Sequence, residues 1–145
     1  MEDEVRSDSF RQTELTISTE GFSEVIDLKE PIQDFLAGNP GKGLLNIAVP
    51  GSTASVTTIE YESGCLEDLR DALDSIAPED DSYKHNEKWG DGNGFSHLRS
   101  SLMGPSVTLP FKGGELQTGT WQQVVLVDND NRPRERSVLL TALGS

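Results

Sequence analysis

Residues 106–143, SVTLPFKGGELQTGTWQQVVLVDNDNRPRERSVLLTAL, carry the strongest fold information in the chain. Apolar and β-branched residues predict strands from Ser106 to Pro110, from Thr120 to Val127 and from Ser137 to Leu143. Glycine- and Asn/Asp-rich turns at 112–114 and 128–131 separate these strands. The chain therefore closes with consecutive strands, which favours a mostly antiparallel α+β fold over a doubly wound one.

Four further strands are predicted in the first half of the chain. Residues alternate between polar and apolar from Gln12 to Ser18, and a second short strand is predicted around Ser23 to Ile26. Leu44 to Val49 is a short apolar run, and Ser55 to Tyr61 is rich in Val, Thr and Ile.

Three helices are predicted between these strands. Asp27 followed by Glu30 has the spacing of a capping box, which predicts a helix that ends near Gly38. Apolar residues at helical spacing predict a second helix from Cys65 to Ala77, and a third covers Phe95 to Met103. The buried stripe of the second helix is predicted to be Leu66, Leu69, Leu73 and Ile76.

The length of 145 residues fits one domain that can bury a core without disulfides or metals. Residues 1–9 are polar and are predicted to be a flexible N-terminus. Residues 10–145 are predicted to form a single α+β domain.

The charge balance excludes several classes of partner. Twelve basic residues face twenty-five acidic ones, and the formal net charge is -13. A field of that sign repels nucleic acid and anionic membrane surfaces, so we expect neither as a partner. Only five of the basic residues are lysine, and an acidic, lysine-poor surface is typical of a protein that works in high salt.

Cysteine usage and hydropathy predict the compartment. Cys65 is the only cysteine, so no intramolecular disulfide forms and a reducing cytosol is expected. The acidic N-terminus lacks the apolar segment of a secretory signal. No apolar run approaches the length needed to span a bilayer, so we expect a soluble cytoplasmic protein.

Residues 80–94 are polar and are predicted to form a long loop, and both histidines of the chain lie within residues 83–97. His85 and His97 flank Trp89, Asp91 and Asn93. Imidazole and carboxylate are ligands of zinc, manganese and iron, so this segment is a candidate metal or catalytic site. The spacing of the histidines matches no standard local ligand pattern. The alternative is that two hydrogen-bonded histidines only hold the loop.

A second candidate is the arginine-rich segment 132–136, RPRER. Guanidinium groups bind phosphate or carboxylate with two parallel hydrogen bonds. If Arg134 and Arg136 begin a strand, they share one face of it. The alternative is that both arginines pair with acidic residues of the surface.

Three weaker candidates lie on predicted strands or turns. Ser52 and Thr53 follow a Pro-Gly turn and could present donors to an anion, or they could simply enter a strand. Trp121 opens a strand and could be an ordinary core residue. Glu60 lies in a β-segment on the same face as Glu62, and both could be solvated.

These segments, in this order, resemble the YjbQ-like family, whose members are also labelled secondary thiamine-phosphate synthase enzymes. No single motif is specific, and the resemblance rests on their shared order and spacing from about residue 43 to the C-terminus. The matching stretches are GSTAS at 51–55, IE at 59–60, DL at 68–69, AP at 77–78, YxHN at 83–86, NGxSHL at 93–98, GPS at 104–106, GTWQ at 119–122 and RxR at 134–136.

The resemblance implies an antiparallel β-sheet sandwich with about three flanking helices, assembled as a homotrimer with its site near a subunit boundary. It implies catalytic roles for Glu60, His85, His97, Trp121 and Gln122. Binding of a phosphorylated ligand is implied for Ser52, Thr53, Asn86, Asn93, Thr120, Arg134 and Arg136. A divalent metal such as Mg, Zn or Mn is expected on His85, His97 and Asp91.

The family label implies the joining of a pyrimidine-methyl pyrophosphate to a thiazole phosphate with loss of pyrophosphate. One departure from the family pattern bears on this expectation. Many relatives carry a histidine where this chain has Gly51. The second hypothesis is another metal-assisted reaction on a small phosphorylated metabolite. The third is a non-catalytic homotrimer that binds a small phosphorylated metabolite, and Gly51 favours it slightly.

Overall fold

Two antiparallel sheets form the frame of the protein, and the computed structural model describes residues 9–144. The larger sheet has the strand order β1-β8-β3-β5-β6, and the smaller sheet has the order β2-β7-β4. The strands are β1 Ser9–Thr19, β2 Glu24–Asp27, β3 Lys42–Ala48, β4 Ala54–Glu60, β5 Ser106–Lys112, β6 Glu115–Leu116, β7 Gln122–Asp128 and β8 Arg134–Gly144. This architecture confirms the predicted α+β fold with mostly antiparallel sheet.

The described residues contain four helices, one more than the three predicted. The additional helix, α3, lies inside the polar segment that we predicted to be a loop. Because this segment has no apolar period, its helix is invisible to a pattern search. The helices are α1 Lys29–Leu36, α2 Ser63–Ile76, α3 Lys84–Trp89 and α4 Gly94–Met103.

The main core lies between the two sheets. Leu45 and Ile47 of β3 and Leu140 of β8 face Val124 and Leu126 of β7, and all are buried. The same cluster includes the buried face of α1. Because side chains alternate along a strand, the neighbouring residues of β7 point to the opposite face of the smaller sheet. There Val125 and Val127 pack against α2 and α4 in a second cluster.

Two details of the helices differ from the prediction. α1 begins at Lys29 rather than directly after Asp27, although Asp27 Oδ1 still accepts a hydrogen bond from the Lys29 N–H at 2.9 Å. In α2, Leu73 is buried, but Ile76 is 61% exposed and the prediction that it is buried is wrong. Ile76 is the last residue of the helix, and the cluster against which α2 packs includes Leu66 and Leu69 but not Ile76.

The predicted flexible segment, residues 1–9, lies outside the described residues except for Ser9, which is the first residue of β1. No helix within residues 9–144 has the length and apolar character to cross a membrane.

Candidate functional site

An open cleft of about 420 Å³ lies at one end of the sandwich. The β3–β4 loop, α3, the start of α4 and the start of β8 surround it. We call it the His–Arg cleft. It is lined by Gly51, Ser52, Thr53, His85, Trp89, Asp91, Asn93, His97, Arg134 and Arg136.

Arg136 is fixed at the floor of this cleft by a buried carboxylate. Its Nε and Nη2 donate hydrogen bonds to the two oxygens of Asp128, at 2.7 and 2.9 Å. Nη2 also donates to Thr53 Oγ1 at 2.7 Å. The remaining nitrogen, Nη1, lies beside Gly51 and has no hydrogen-bond partner within residues 9–144. Nη1, with its two N–H groups, is therefore free to bind a ligand.

Arg134 is held in the same way by a second carboxylate. Its Nε and Nη2 both lie 2.8 Å from Asp130 Oδ2. The Thr53 hydroxyl donates to the same oxygen at 3.1 Å. Asp130 is fully buried, whereas the side chain of Arg134 is 35% exposed and lines the cleft.

Strand register explains why these groups meet. Arg134 and Arg136 are two residues apart at the start of β8, so they lie on one face of it, the face that continues into the buried residue Val138. Asp128 ends β7 on the face that carries Leu126, which also points between the sheets. Arginine and carboxylate therefore meet at the end of the core, where each neutralises the other.

The hydrogen bonds determine the charge state of both carboxylates. Burial raises the pKa of Asp128, but hydrogen bonds from Arg136 and Thr19 outweigh it and leave that pKa below its usual range. The pKa of Asp130 is also lowered, because the Asn131 N–H and Arg134 outweigh burial. Both carboxylates are therefore ionised at neutral pH, and the two arginines are held rigidly in place.

The histidines form a pair on the opposite wall. α3 carries His85 and α4 carries His97, and their ring centroids are 4.3 Å apart at an interplanar angle of 42°. Burial and the neighbouring His85 both lower the pKa of His97, against smaller opposing effects of Asp91 and Asp130. His97 is therefore neutral at pH 7 and can accept a proton.

A carboxylate and an amide lie next to the histidines. Asp91 Oδ1 is 3.4 Å from His85 Nδ1, and the Asp91 side chain is half exposed. With its amide oriented so that nitrogen faces the carboxylate, Asn93 donates to both oxygens of Asp91, at 2.9 and 3.2 Å. This contact holds the Asp91 side chain against Asn93, within the loop that joins α3 to α4.

The donor set around the histidines does not fit a resident metal. Structural and catalytic zinc sites need at least three converging protein ligands. Within residues 9–144 no group of three His, Cys, Asp or Glu side chains converges in that way. Gly51 also lines the cleft, and it contributes no side chain. The side chains present leave a metal shell incomplete.

Four of the predicted site residues lie elsewhere in the same chain. Glu60 and Gln122 pair with each other at the far end of β4 and β7, whereas Ala54 and Asp128 pair at the end next to the cleft. Six residues of strand separate the two ends, or about 20 Å. Thr120 and Gln122 line a different cleft beside α1, and Trp121 is 73% exposed.

Asn86 has a structural position in the described chain. Its Oδ1 accepts a hydrogen bond from the Gly94 N–H at 2.9 Å, at the start of α4. A side chain at Gly94 would come within 2.5 Å of Tyr83 Cβ, so this position requires glycine. Together these contacts hold α3 against α4, and through them His85 against His97.

Sequence reasoning missed Asp128 and Asp130, because acidic residues in an Asp/Asn-rich segment are typical of an exposed turn. Both are fully buried. The available signal was two carboxylates at an i, i+2 spacing shortly before two arginines at the same spacing.

The protein is therefore an α+β sandwich of two sheets, with a cleft lined by histidines and arginines at one end. The chain belongs to the family of UPF0047 proteins that are YjbQ-like, and the family model matches residues 13–145.

Relatives in bacteria support this assignment. The chain is 42% identical over 118 residues to a UPF0047 protein of Mycobacterium bovis, covering 81% of this chain and 89% of the relative. It is 31% identical over 138 residues to the UPF0047 protein YjbQ of Escherichia coli O157:H7, covering 92% and 97% of the two chains.

Solved structures share the fold. A YbjQ-like protein of unknown function from Sulfolobus solfataricus superposes with a TM-score of 0.84 at 26% identity, covering 94% of this chain and all of that chain. A hypothetical protein from Aeropyrum pernix superposes with the same TM-score of 0.84 at 33% identity, covering 93% and 99%.

Proposed function

We propose that the His–Arg cleft binds a small phosphorylated or pyrophosphorylated metabolite. The observation that carries this proposal is the free Nη1 of Arg136 beside Gly51, in a guanidinium held in place by Asp128 and Thr53. The N–H donors of arginine bind phosphate oxygens, and a pre-oriented guanidinium loses little freedom on binding. Ser52 adds an exposed hydroxyl on the same wall.

The local charge makes hydrogen bonding, rather than net attraction, the main source of affinity. Asp128 and Asp130 balance the charges of the two arginines. A bound phosphate would therefore gain mainly from the unused N–H donors.

The reaction proposed for this site is the transfer named by the family label. Departing pyrophosphate would be stabilised by Arg134 and Arg136, with Mg2+ entering as part of the pyrophosphate substrate. Neutral His97 would exchange a proton with the aminopyrimidine. The cationic fragment left behind would be stabilised by the ring of Trp89, which is 67% exposed at the cleft.

Glu60, Trp121 and Gln122 could act in this site only if another copy supplied them, because they lie at the far end of the strands. We propose a homotrimer in which a second copy supplies these residues, with the site near a subunit boundary. We propose that the trimer works in the cytoplasm. Its net charge of -13 argues against nucleic acid or membrane partners.

Replacement of Arg134 by lysine is expected to weaken pyrophosphate binding about tenfold. Lysine keeps the charge beside Asp130 but loses one charge-assisted hydrogen bond, a change of about 1.4 kcal/mol. Isothermal titration with pyrophosphate measures the effect. Arg132→Lys is the matched control, because Arg132 is exposed and does not line the cleft. Equal affinity of both variants and the wild type would contradict the proposal.

Incubation with both thiamine precursors and Mg2+ is expected to release pyrophosphate at a rate that His97→Gln abolishes. Because a base must be neutral, the rate should fall as the pH drops through the pKa of His97. The lowered pKa moves that fall below the usual range of a histidine. Pyrophosphate binding without release would instead support the non-catalytic binder.

A further inference from the structure

A second cleft adjoins the His–Arg cleft across Gly51. It has a volume of about 480 Å³, and Gly51, Ser52 and His97 line both clefts. Its other walls come from Ala54 and from the end of α4, which carries Ser100 and Ser101 and leads into Gly104 and Pro105. We call it the serine cleft.

The chemistry of the serine cleft differs from that of its neighbour. Apart from the shared His97, its lining consists of glycines, small hydroxyl residues, one alanine methyl and one proline ring. None of these side chains is charged, on a chain in which 26% of residues are charged. Such a lining favours an uncharged, compact group with a few polar atoms.

The walls of the serine cleft are held by hydrogen bonds to the sheet. The Val49 N–H donates to the Pro105 carbonyl at 3.0 Å, and the Ser55 hydroxyl donates to the Ser100 carbonyl at 3.2 Å. Asn129 Nδ2 donates to Ser100 Oγ at 3.0 Å. The cleft is therefore pre-formed, and a ligand would not have to order it.

Gly51 connects the two clefts. Its φ is +120°, a conformation that favours glycine, and a side chain there would meet Arg136 Nη1 at 3.4 Å. Without a side chain, nothing at position 51 separates Nη1 of Arg136 from the serine cleft. A ligand held by Nη1 can extend across Gly51.

Resting on the proposed phosphate site, we infer that the ligand is a phosphate or pyrophosphate ester whose alcohol part is an uncharged ring seated in the serine cleft. The phosphate group binds Arg134 and Arg136, and the ring lies against Pro105 and Ala54. His97, which lines both clefts, is adjacent to the ester oxygen that joins the two parts. Ser101 and Gly51 then determine which ring is accepted.

Phenyl phosphate and inorganic phosphate, titrated separately by calorimetry, test this inference. We expect wild-type protein to bind phenyl phosphate about tenfold more tightly than inorganic phosphate, because burial of the ring adds affinity. In Ser101→Phe the new ring fills the serine cleft, so this difference should vanish while phosphate affinity stays unchanged. Ser101 is exposed, so the substitution leaves the core intact.

Ser75→Phe is the matched control, because Ser75 is also exposed on a helix but lines neither cleft. It should keep the tenfold difference. Equal wild-type affinity for both ligands, or a difference that survives in Ser101→Phe, would overturn the inference and leave the phosphate site standing. Absence of any phosphate binding would overturn the proposed function and this inference together.

Discussion

Asp128→Asn is expected to lower the free energy of unfolding at pH 7 by about 3 to 5 kcal/mol, the range found when one partner of a buried ion pair is removed. Asp128 is fully buried and accepts hydrogen bonds from Arg136, Thr19 and its own loop at the Asp130 N–H. Asparagine keeps the shape of the side chain but not its negative charge. The buried positive charge of Arg136 is then only partly neutralised. Urea denaturation measures the change.

The pH dependence provides a second measurement on the same variant. Because the pKa of Asp128 is lowered in the folded protein, its contribution to stability is present above its ordinary pKa of about 3.9 and is lost as the pH falls through the folded value. Wild-type protein should therefore lose stability faster than Asp128→Asn as the pH falls below about 4. Parallel curves would contradict the assigned role.

Asp71→Asn is the matched control for both experiments. Asp71 is exposed on α2, and the same change of charge there should alter stability by less than about 0.5 kcal/mol. A comparable loss in both variants would mean that the overall charge, rather than the buried pair, accounts for the effect.

Arg99→Met is expected to lower the free energy of unfolding by about 2 to 4 kcal/mol, the second largest change that we predict. Arg99 is 1% exposed and joins α4 to the end of α2 and to the start of β2. Its Nε donates to the Ala77 carbonyl and its Nη1 to Ser23 Oγ, both at 2.9 Å. Removal of the guanidinium group leaves these two buried acceptors without that donor. The loss costs about 1 to 3 kcal/mol of stability for each acceptor.

The ion pair with Asp74 contributes little to this effect. Nη2 of Arg99 lies 2.7 Å from Asp74 Oδ1, but the Asp74 side chain is 59% exposed, so water competes for it. Asp74→Asn should therefore change stability by less than about 1 kcal/mol. Arg132→Met, at an exposed arginine, controls for loss of a positive charge. A large effect of Asp74→Asn would show that the ion pair, rather than the buried hydrogen bonds, stabilises α4.

Hydrophobic pattern predicted most of the secondary structure because it reports which face of each segment is buried. The strands of the C-terminal third and the helix over 63–76 follow directly from it. The same pattern could not show α3, whose polar surface carries His85 and Trp89 to the cleft. The burial of Ile76 was also predicted wrongly, because helical period says nothing about where the opposing sheet ends.

The amino-acid sequence by itself determined the antiparallel α+β class and the placement of Arg134 and Arg136 on one face of a strand, since side chains alternate along any strand. It also placed both histidines in one segment. Only the tertiary structure decided that Asp128 and Asp130 are buried beneath those arginines. In the smaller sheet, Ala54 pairs with Asp128 next to the cleft, and Glu60 pairs with Gln122 at the far end. This register separates the predicted site residues Glu60 and Gln122 from those that line the cleft. Strand register depends on the packing of the whole core, and no local pattern contains it.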